Sequence, residues 1–199
     1  MKLFESFKLT EKPLIKVNKW LMEAVHLDAP LPHAMNLSTV DESGQPSSRM
    51  VLLKEISDEG LVFYTDYLSQ KGQALDFNPK ASLNFWWPKL DKQIRLEGIC
   101  RKTSKKESDD YFFSRPRGSQ VSAIISTQSK VISTYEELLE KVKNLEKTPD
   151  HDLQRPKRWG GYRLKPFKIE FWKNEPNRLH KRELFISENN HWVRKLLSP

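Results

Sequence analysis

One cysteine, Cys100, stands in 199 residues, and that scarcity excludes both an internal disulfide framework and a thiolate metal cage. Long hydrophobic runs are missing too. The longest, at 50–53 and 61–64, reach four residues, far short of the roughly 20 that cross a bilayer. The opening Met1-Lys2-Leu3-Phe4-Glu5 lacks the apolar stretch of a secretory leader, so the cytoplasm is the expected location. No Gly-rich strand-to-helix turn of the G-x-G-x-x-G or P-loop kind occurs, so the common nucleotide folds are not signalled. His180 has no second histidine or acid at ligand spacing, and no metal site is expected.

What is present is a chain 37% hydrophobic and 30% charged, the balance of a soluble globular domain large enough to bury a core unaided. The net charge is +8 and is unevenly placed. From residue 151 onward there are twelve Lys/Arg against five Asp/Glu. A basic face of this kind attracts polyanions, nucleic acid included, or phosphorylated small molecules. A solvated lysine surface accounts for charge alone equally well.

Apolar positions 14, 17, 21 and 24/25 share one face and predict a helix over 11–25, with Pro13 tolerated in its first turn. Strand character follows at 34–40, 48–56 and 61–65, broken by the turns Asp41-Glu42-Ser43-Gly44 and Asp58-Glu59-Gly60. A short helix capped by Ser69 is expected over 69–77, stopped by Asn78-Pro79. Strands at 81–87 and 93–101 come next, the second alternating Ile94, Leu96, Gly98 and Cys100 inward. Helices are expected at 105–114 and 133–147. The latter carries a stripe of Leu138, Leu139, Val142 and Leu145, with Ser133 and Glu136 as a capping box. A loop at 148–158 precedes alternating segments at 163–172, 182–186 and 191–197. Antiparallel strands with helices around them fit an α+β barrel or half-open sheet.

Several stretches could hold anions. Arg49 and Lys54 flank a strand, five residues apart, so they point to opposite faces unless a bulge intervenes. Tyr64-Thr65 ends the next strand, and Ser69-Gln70-Lys71-Gly72 opens a helix whose free N–H groups suit a phosphate. An ordinary helix cap would look the same. Tyr111 followed by Arg115-Pro116-Arg117-Gly118-Ser119 places guanidinium, phenol and hydroxyl over a tight turn, a phosphate pocket or a plain surface turn. Trp159-Gly160-Gly161-Tyr162-Arg163, Trp172 and Arg178-Leu179-His180-Lys181-Arg182 set flat rings beside fixed cations, which suits a planar anion.

In this order, with Gln93, Gln120 and Gln128-Ser129 between them, these motifs resemble the pyridoxamine 5′-phosphate oxidases, from about residue 34 to 199. The resemblance implies a single FMN-binding split β-barrel domain over 1–199, antiparallel, with a helical segment at 1–30. It implies a homodimer holding each flavin between two subunits. The reaction implied is oxidation of pyridoxamine or pyridoxine 5′-phosphate to pyridoxal 5′-phosphate, with dioxygen leaving as hydrogen peroxide. FMN would be held by the stretch Arg49, Met50, Val51, Leu52, Leu53 and Lys54, by Tyr64, Thr65, Lys71, Gln93, Gln128 and Ser129, and by Trp172 and Arg182 from the partner chain. Lys54, Tyr111, Arg115 and Ser119 would take the substrate phosphate, with Arg178 and His180 as catalytic residues over the pyridine ring. No membrane or nucleic-acid partner is implied. Three departures stand out. Gln70 replaces the arginine usual beside Lys71, Lys181 replaces an aspartate, and the N-terminus lacks the segment that folds over substrate in relatives. The lid is then either absent or built differently.

Overall fold

The face formed by Leu14, Val17, Leu21 and Ala24 is buried on helix α1 (Lys12–His26), and Trp20 joins it. No side chain of its own caps this helix. Asp58 does so from a distant turn, its carboxylate accepting the N–H groups of Thr10 and Glu11 at 2.9–3.1 Å. The computed structural model describes residues 3–147, 149, 153–189 and 191–199.

Ten strands among these residues form one sheet: β1 (Glu5–Ser6), β2 (Ala34–Val40), β3 (Pro46–Leu52), β4 (Glu55–Ser57), β5 (Gly60–Asp66), β6 (Lys80–Trp87), β7 (Lys92–Lys102), β8 (Trp159–Lys173), β9 (Lys181–Glu188) and β10 (His191–Leu197). Their order is β1-β4-β5-β8-β7-β6-β2-β3, with β9 on β8 and β10 on β9. The sheet curls into a half-barrel. All pairings are antiparallel except that of β1 with β4, which is parallel over two residues and makes the sheet mixed.

The long strand β8 organises the rest. One edge pairs with β7 through most of its length. The other is divided, Trp159–Leu164 pairing with β5 and Lys168–Lys173 with β9. Ile94, Leu96, Ile169 and Phe171 thereby point into the core with Phe63, Phe85 and Leu164. Cys100 lies in that core, and burial pushes its thiol up to about 12.

Among the described residues four α-helices surround the sheet besides α1: α2 (Gln70–Phe77), α3 (Lys105–Ser114), α4 (Arg117–Ile125) and α5 (Tyr135–Glu146). Three expectations need correction. The strand expected over 48–56 is two strands, because the Leu53 N–H turns to His33 O while that of Lys54 turns to Val62 O. The tight turn expected at 115–119 opens α4 instead, with Pro116 at its N-cap. In α5 the cap is Thr134, whose hydroxyl accepts the Glu137 N–H, not Ser133 with Glu136. The Leu138/Leu139/Val142/Leu145 stripe forms, yet no residue of that helix is buried. Part of the expected 148–158 loop lies outside the described residues.

Candidate active site

Where β3 and β5 end, α2 begins and α4 packs behind, the chain encloses a cavity of about 520 Å³. Met50, Leu52, Lys54, Tyr64, Thr65, Lys71, Tyr111, Arg115, Ser119, Gln128 and Trp159 are among the residues lining it. A second recess of about 580 Å³ shares Lys54, Tyr64, Tyr111 and Arg115 with the first. Its far wall is Leu3, Phe4 and Glu5, followed by Glu55, Glu107 and Asp110. The short N-terminal segment therefore runs beside the site, held there by β1 on β4.

The Lys71 corner is built by a capped helix start. Ser69 Oγ accepts the Gly72 N–H at 3.3 Å and donates to Asp66 O at 2.6 Å, which is how an N-cap serine satisfies the first free N–H groups. The turn presses so closely on α2 that a Cβ at residue 72 would lie 2.1 Å from Tyr67 O, so only glycine fits. Lys71 is 7% exposed. Its Nζ donates to Gln128 Oε1 at 2.7 Å, and Thr65 Oγ1 donates to the same oxygen at 2.8 Å. Burial, with the nearby Arg49 charge adding to it, draws the Lys71 ammonium down to about 8. Arg49 itself donates to Thr39 Oγ1, Ser47 Oγ and the carbonyls of Leu37 and Ser47, all neutral oxygens. These two cations have neutral hydrogen-bond partners and no ion pair among the described residues.

The Lys54–Arg115 corner repeats that condition. Burial lowers the pKa of both, and the Arg115 charge lowers Lys54 further. Arg115 Nη1 is buried with no hydrogen-bond partner. Aromatic faces support the pair: Lys54 Nζ lies 5.9 Å from the Tyr111 ring and Arg115 lies 4.6 Å from the Trp159 ring. Tyr64 is nearly parallel to both rings, at 3.9 and 5.4 Å. Burial raises the pKa of Tyr64 and Tyr111, so both phenols stay neutral donors. The donors fit two anionic groups in the cavity, one at Lys71 and one at Arg115.

Other expected residues lie elsewhere. Leu53 is fully buried in the core and its side chain faces away, whereas Val51, also packed in the core, lines the cavity together with the exposed Met50 and Leu52. Ser129 occupies a left-handed turn, φ 69°, beyond the lining residues. Gln93, Trp172, Arg178, His180 and Arg182 cluster near the opposite end of β8. Gln93 and Arg182 are the register partners of Trp172 on β7 and β9. The Trp172 ring meets His180 at 4.6 Å, and His180 Nδ1 accepts the Glu175 N–H at 3.4 Å. Glu170, 3% exposed, accepts from Arg182 Nε at 2.8 Å and Arg95 Nη2 at 2.6 Å. Arg182 also donates to Ser198 O at 3.0 Å. Arg178 is exposed on a loop where it and Asn177 both take left-handed φ, 61° and 56°. Two such residues in succession store strain of the kind found at functional loops. Trp159 and Trp172 are 13 positions apart on β8, roughly 40 Å of strand at about 3.3 Å per residue.

Trp159, singled out in the sequence as a flat ring beside cations, is a cavity wall; sequence reasoning missed Ser122, Ala123 and Ser126 beside it. The 119, 122, 123, 126 spacing was the available signal for the helix that presents them. Lys181, the departure noted above, pairs with Glu175 at 3.2 Å, which also takes Lys173. Among the described residues no cluster of metal-ligating side chains occurs, and no helix is long and apolar enough to cross a membrane.

Comparison with known proteins gives concordant findings. Residues 22–149 match the family model described as pyridoxamine 5′-phosphate oxidase. Residues 159–199 match the pyridoxine 5′-phosphate oxidase C-terminal dimerisation region. The pyridoxine/pyridoxamine 5′-phosphate oxidase of Haemophilus influenzae is 44% identical over 189 residues, covering 95% of this chain and 90% of that one. Among solved structures, PhzG from Burkholderia lata, in complex with tetrahydrophenazine-1-carboxylic acid, superposes with TM-score 0.89 at 30% identity, covering 94% and 92% of the two chains. A pyridoxamine 5′-phosphate oxidase-related, FMN binding protein from Nostoc punctiforme has TM-score 0.76 at 15% identity, covering 92% and 96%. The expected α+β split-barrel architecture is thus the one found.

Proposed function

The chain belongs to the pyridoxamine 5′-phosphate oxidase family, and on that premise we propose that it oxidises pyridoxamine and pyridoxine 5′-phosphates to pyridoxal 5′-phosphate, with dioxygen reduced to hydrogen peroxide. FMN, when bound, accepts the hydride from the substrate and passes the electrons to dioxygen. The observation that carries the reading is the cavity lined by Lys71, Lys54 and Arg115, cations that form no ion pair among the described residues, with the Arg49 charge near Lys71.

Lys71, Arg49 and the start of α2 hold the flavin phosphate, with Thr65 and Gln128 beside them. Met50, Leu52 and the backbone of that stretch wall one side. Lys54, Tyr111, Arg115 and Ser119 take the substrate phosphate. Each charge-assisted contact stabilises by about 1.5–3 kcal/mol, so several together place the substrate carbon within reach of reaction. Gln93, Trp172, Arg178, His180 and Arg182 complete the partner's cavity, and the distance along β8 supports that division of labour. Arg178 stabilises charge as it develops on the pyridine. His180 covers the ring; with Nδ1 accepting from the backbone, its Nε2 carries the proton that can be donated. The enzyme in this reading is a cytoplasmic homodimer of one-domain chains.

The test is to mix FMN-loaded protein with pyridoxine 5′-phosphate in air and follow aldehyde and peroxide. Equal amounts of both are expected. Neither product, with pyridoxamine 5′-phosphate failing as well, would reject the activity and leave the fold.

A further inference from the structure

We propose that Trp159 is a positioning residue for phosphate recognition: its indole face holds the Arg115 guanidinium in the orientation that meets the substrate's phosphate. This rests on the oxidase reading for the identity of the ligand, though not for the effect of the ring on the arginine.

Arg115 follows the last turn of α3, and Pro116 then starts α4. Among the described residues no oxygen accepts from its side chain, and Nη1 is buried without a partner. Hydrogen bonds do not fix this guanidinium. A ring does, at 4.6 Å. A guanidinium stacked on an aromatic face keeps its N–H groups in its own plane, so the stack occupies the face and leaves the fork for a two-point phosphate contact. The stack also offsets part of the cost of half-burying a charge among other cations.

Trp159 is itself immobilised. It is 7% exposed, its backbone N–H donates to Pro156 O at 2.9 Å, and Phe112 meets its ring edge-on at 5.5 Å. Tyr64 lies parallel to it at 5.4 Å. Its neighbour Gly160 leaves room for the Tyr67 hydroxyl and Ser108 Oγ, which a Cβ there would meet at 2.1 and 2.8 Å and have to displace. The Trp-Gly-Gly stretch therefore serves to press a flat ring against the wall from which Arg115 reaches the cavity.

The experiment compares Trp159→Phe, which keeps a ring, with Trp159→Met, which keeps bulk without one. FMN-loaded proteins are titrated with inorganic phosphate by calorimetry, and inorganic phosphate is tested as a competitor of turnover. Phosphate binding should weaken about tenfold in Trp159→Met and by less than about threefold in Trp159→Phe. KM for the phosphorylated substrate should rise in parallel while kcat holds. In an Arg115→Ala background Trp159→Met should add nothing. Equal losses in both variants, or losses additive with Arg115→Ala, overturn the proposal. If phosphate binding follows this pattern in a protein that oxidises neither vitamin phosphate, the ring's role stands and the oxidase reading falls.

Discussion

The cations lining the cavity near Trp159 and those around Trp172, at the other end of β8, are held in opposite states. Around the cavity at the Trp159 end the pKa values of Lys54, Lys71 and Arg115 are all lowered, chiefly by burial, with the Arg115 charge adding at Lys54 and the Arg49 charge adding at Lys71. At the Trp172 end Arg182 is raised by its bond to Glu170, Arg95 shares that carboxylate, and Lys173 and Lys181 share Glu175. Charges left without a counter-ion mark where a ligand's charge belongs, because the fold alone gains nothing by gathering them. Charges already neutralised mark a region whose geometry is set before any ligand arrives. Arg178, strained and exposed, is the exception at the second end, and with His180 it carries the catalytic assignment proposed there.

Breaking that exception should give the largest effect. Arg178→Ala is expected to lower kcat by about 10²–10³-fold, the range for losing one group that stabilises developing charge, with FMN still bound by absorbance. The division of labour between protomers can be sharpened by mixing. Arg115→Ala and Arg178→Ala proteins, each inactive, should on co-refolding recover about a quarter of wild-type activity, since random pairing under two-fold symmetry leaves one intact site in half the dimers. No recovery would place both ends in one protomer's site.

At the Lys71 corner, Lys71→Met should weaken FMN binding about tenfold or more, read by flavin fluorescence. In the wild type FMN affinity should fall as pH climbs through about 8, where Lys71 gives up its proton, and the variant should lose that dependence. Stability moves the other way. The unfolded chain keeps this proton up to about 10.4, so the flavin-free protein gains stability between these values as pH rises. The smallest effect belongs to the neutralised end. Glu170→Ala should cost about 1.5–3 kcal/mol in denaturant unfolding, and Glu170→Gln less, because an amide oxygen still accepts from one arginine.

Much of this was legible in the sequence where periodicity was strong. Leu14, Val17, Leu21 and Ala24 announced α1, and the alternation through Ile94, Leu96 and Cys100 announced β7. Helix α4 was hidden because Pro116 and Gly118 are both turn signals. Nothing lies within 4 Å of a Cβ at Gly118, so space does not demand glycine, and the helix is held instead by Val121 and Ala123, the latter packing with Phe112 and Trp159. The break at Leu53–Lys54 depends on which distant carbonyl each N–H reaches, a tertiary fact without a local mark. Anion-binding motifs could be named one by one, but their division between the two ends of β8 required the register.

The place of β8 in the chain bears on how the protein is made. It joins the β1-β4-β5 piece of the sheet to the β7-β6-β2-β3 piece, yet it comes at residues 159–173, after both. Leu61 waits for Leu164 and Ile94 for Phe171. Such distant pairings must bear their loop-closure entropy first, which slows folding. On the ribosome the half-barrel stays open until β8 has emerged, its strand edges and apolar faces uncovered meanwhile, and that interval is when the nascent chain is most exposed to aggregation and most dependent on chaperones.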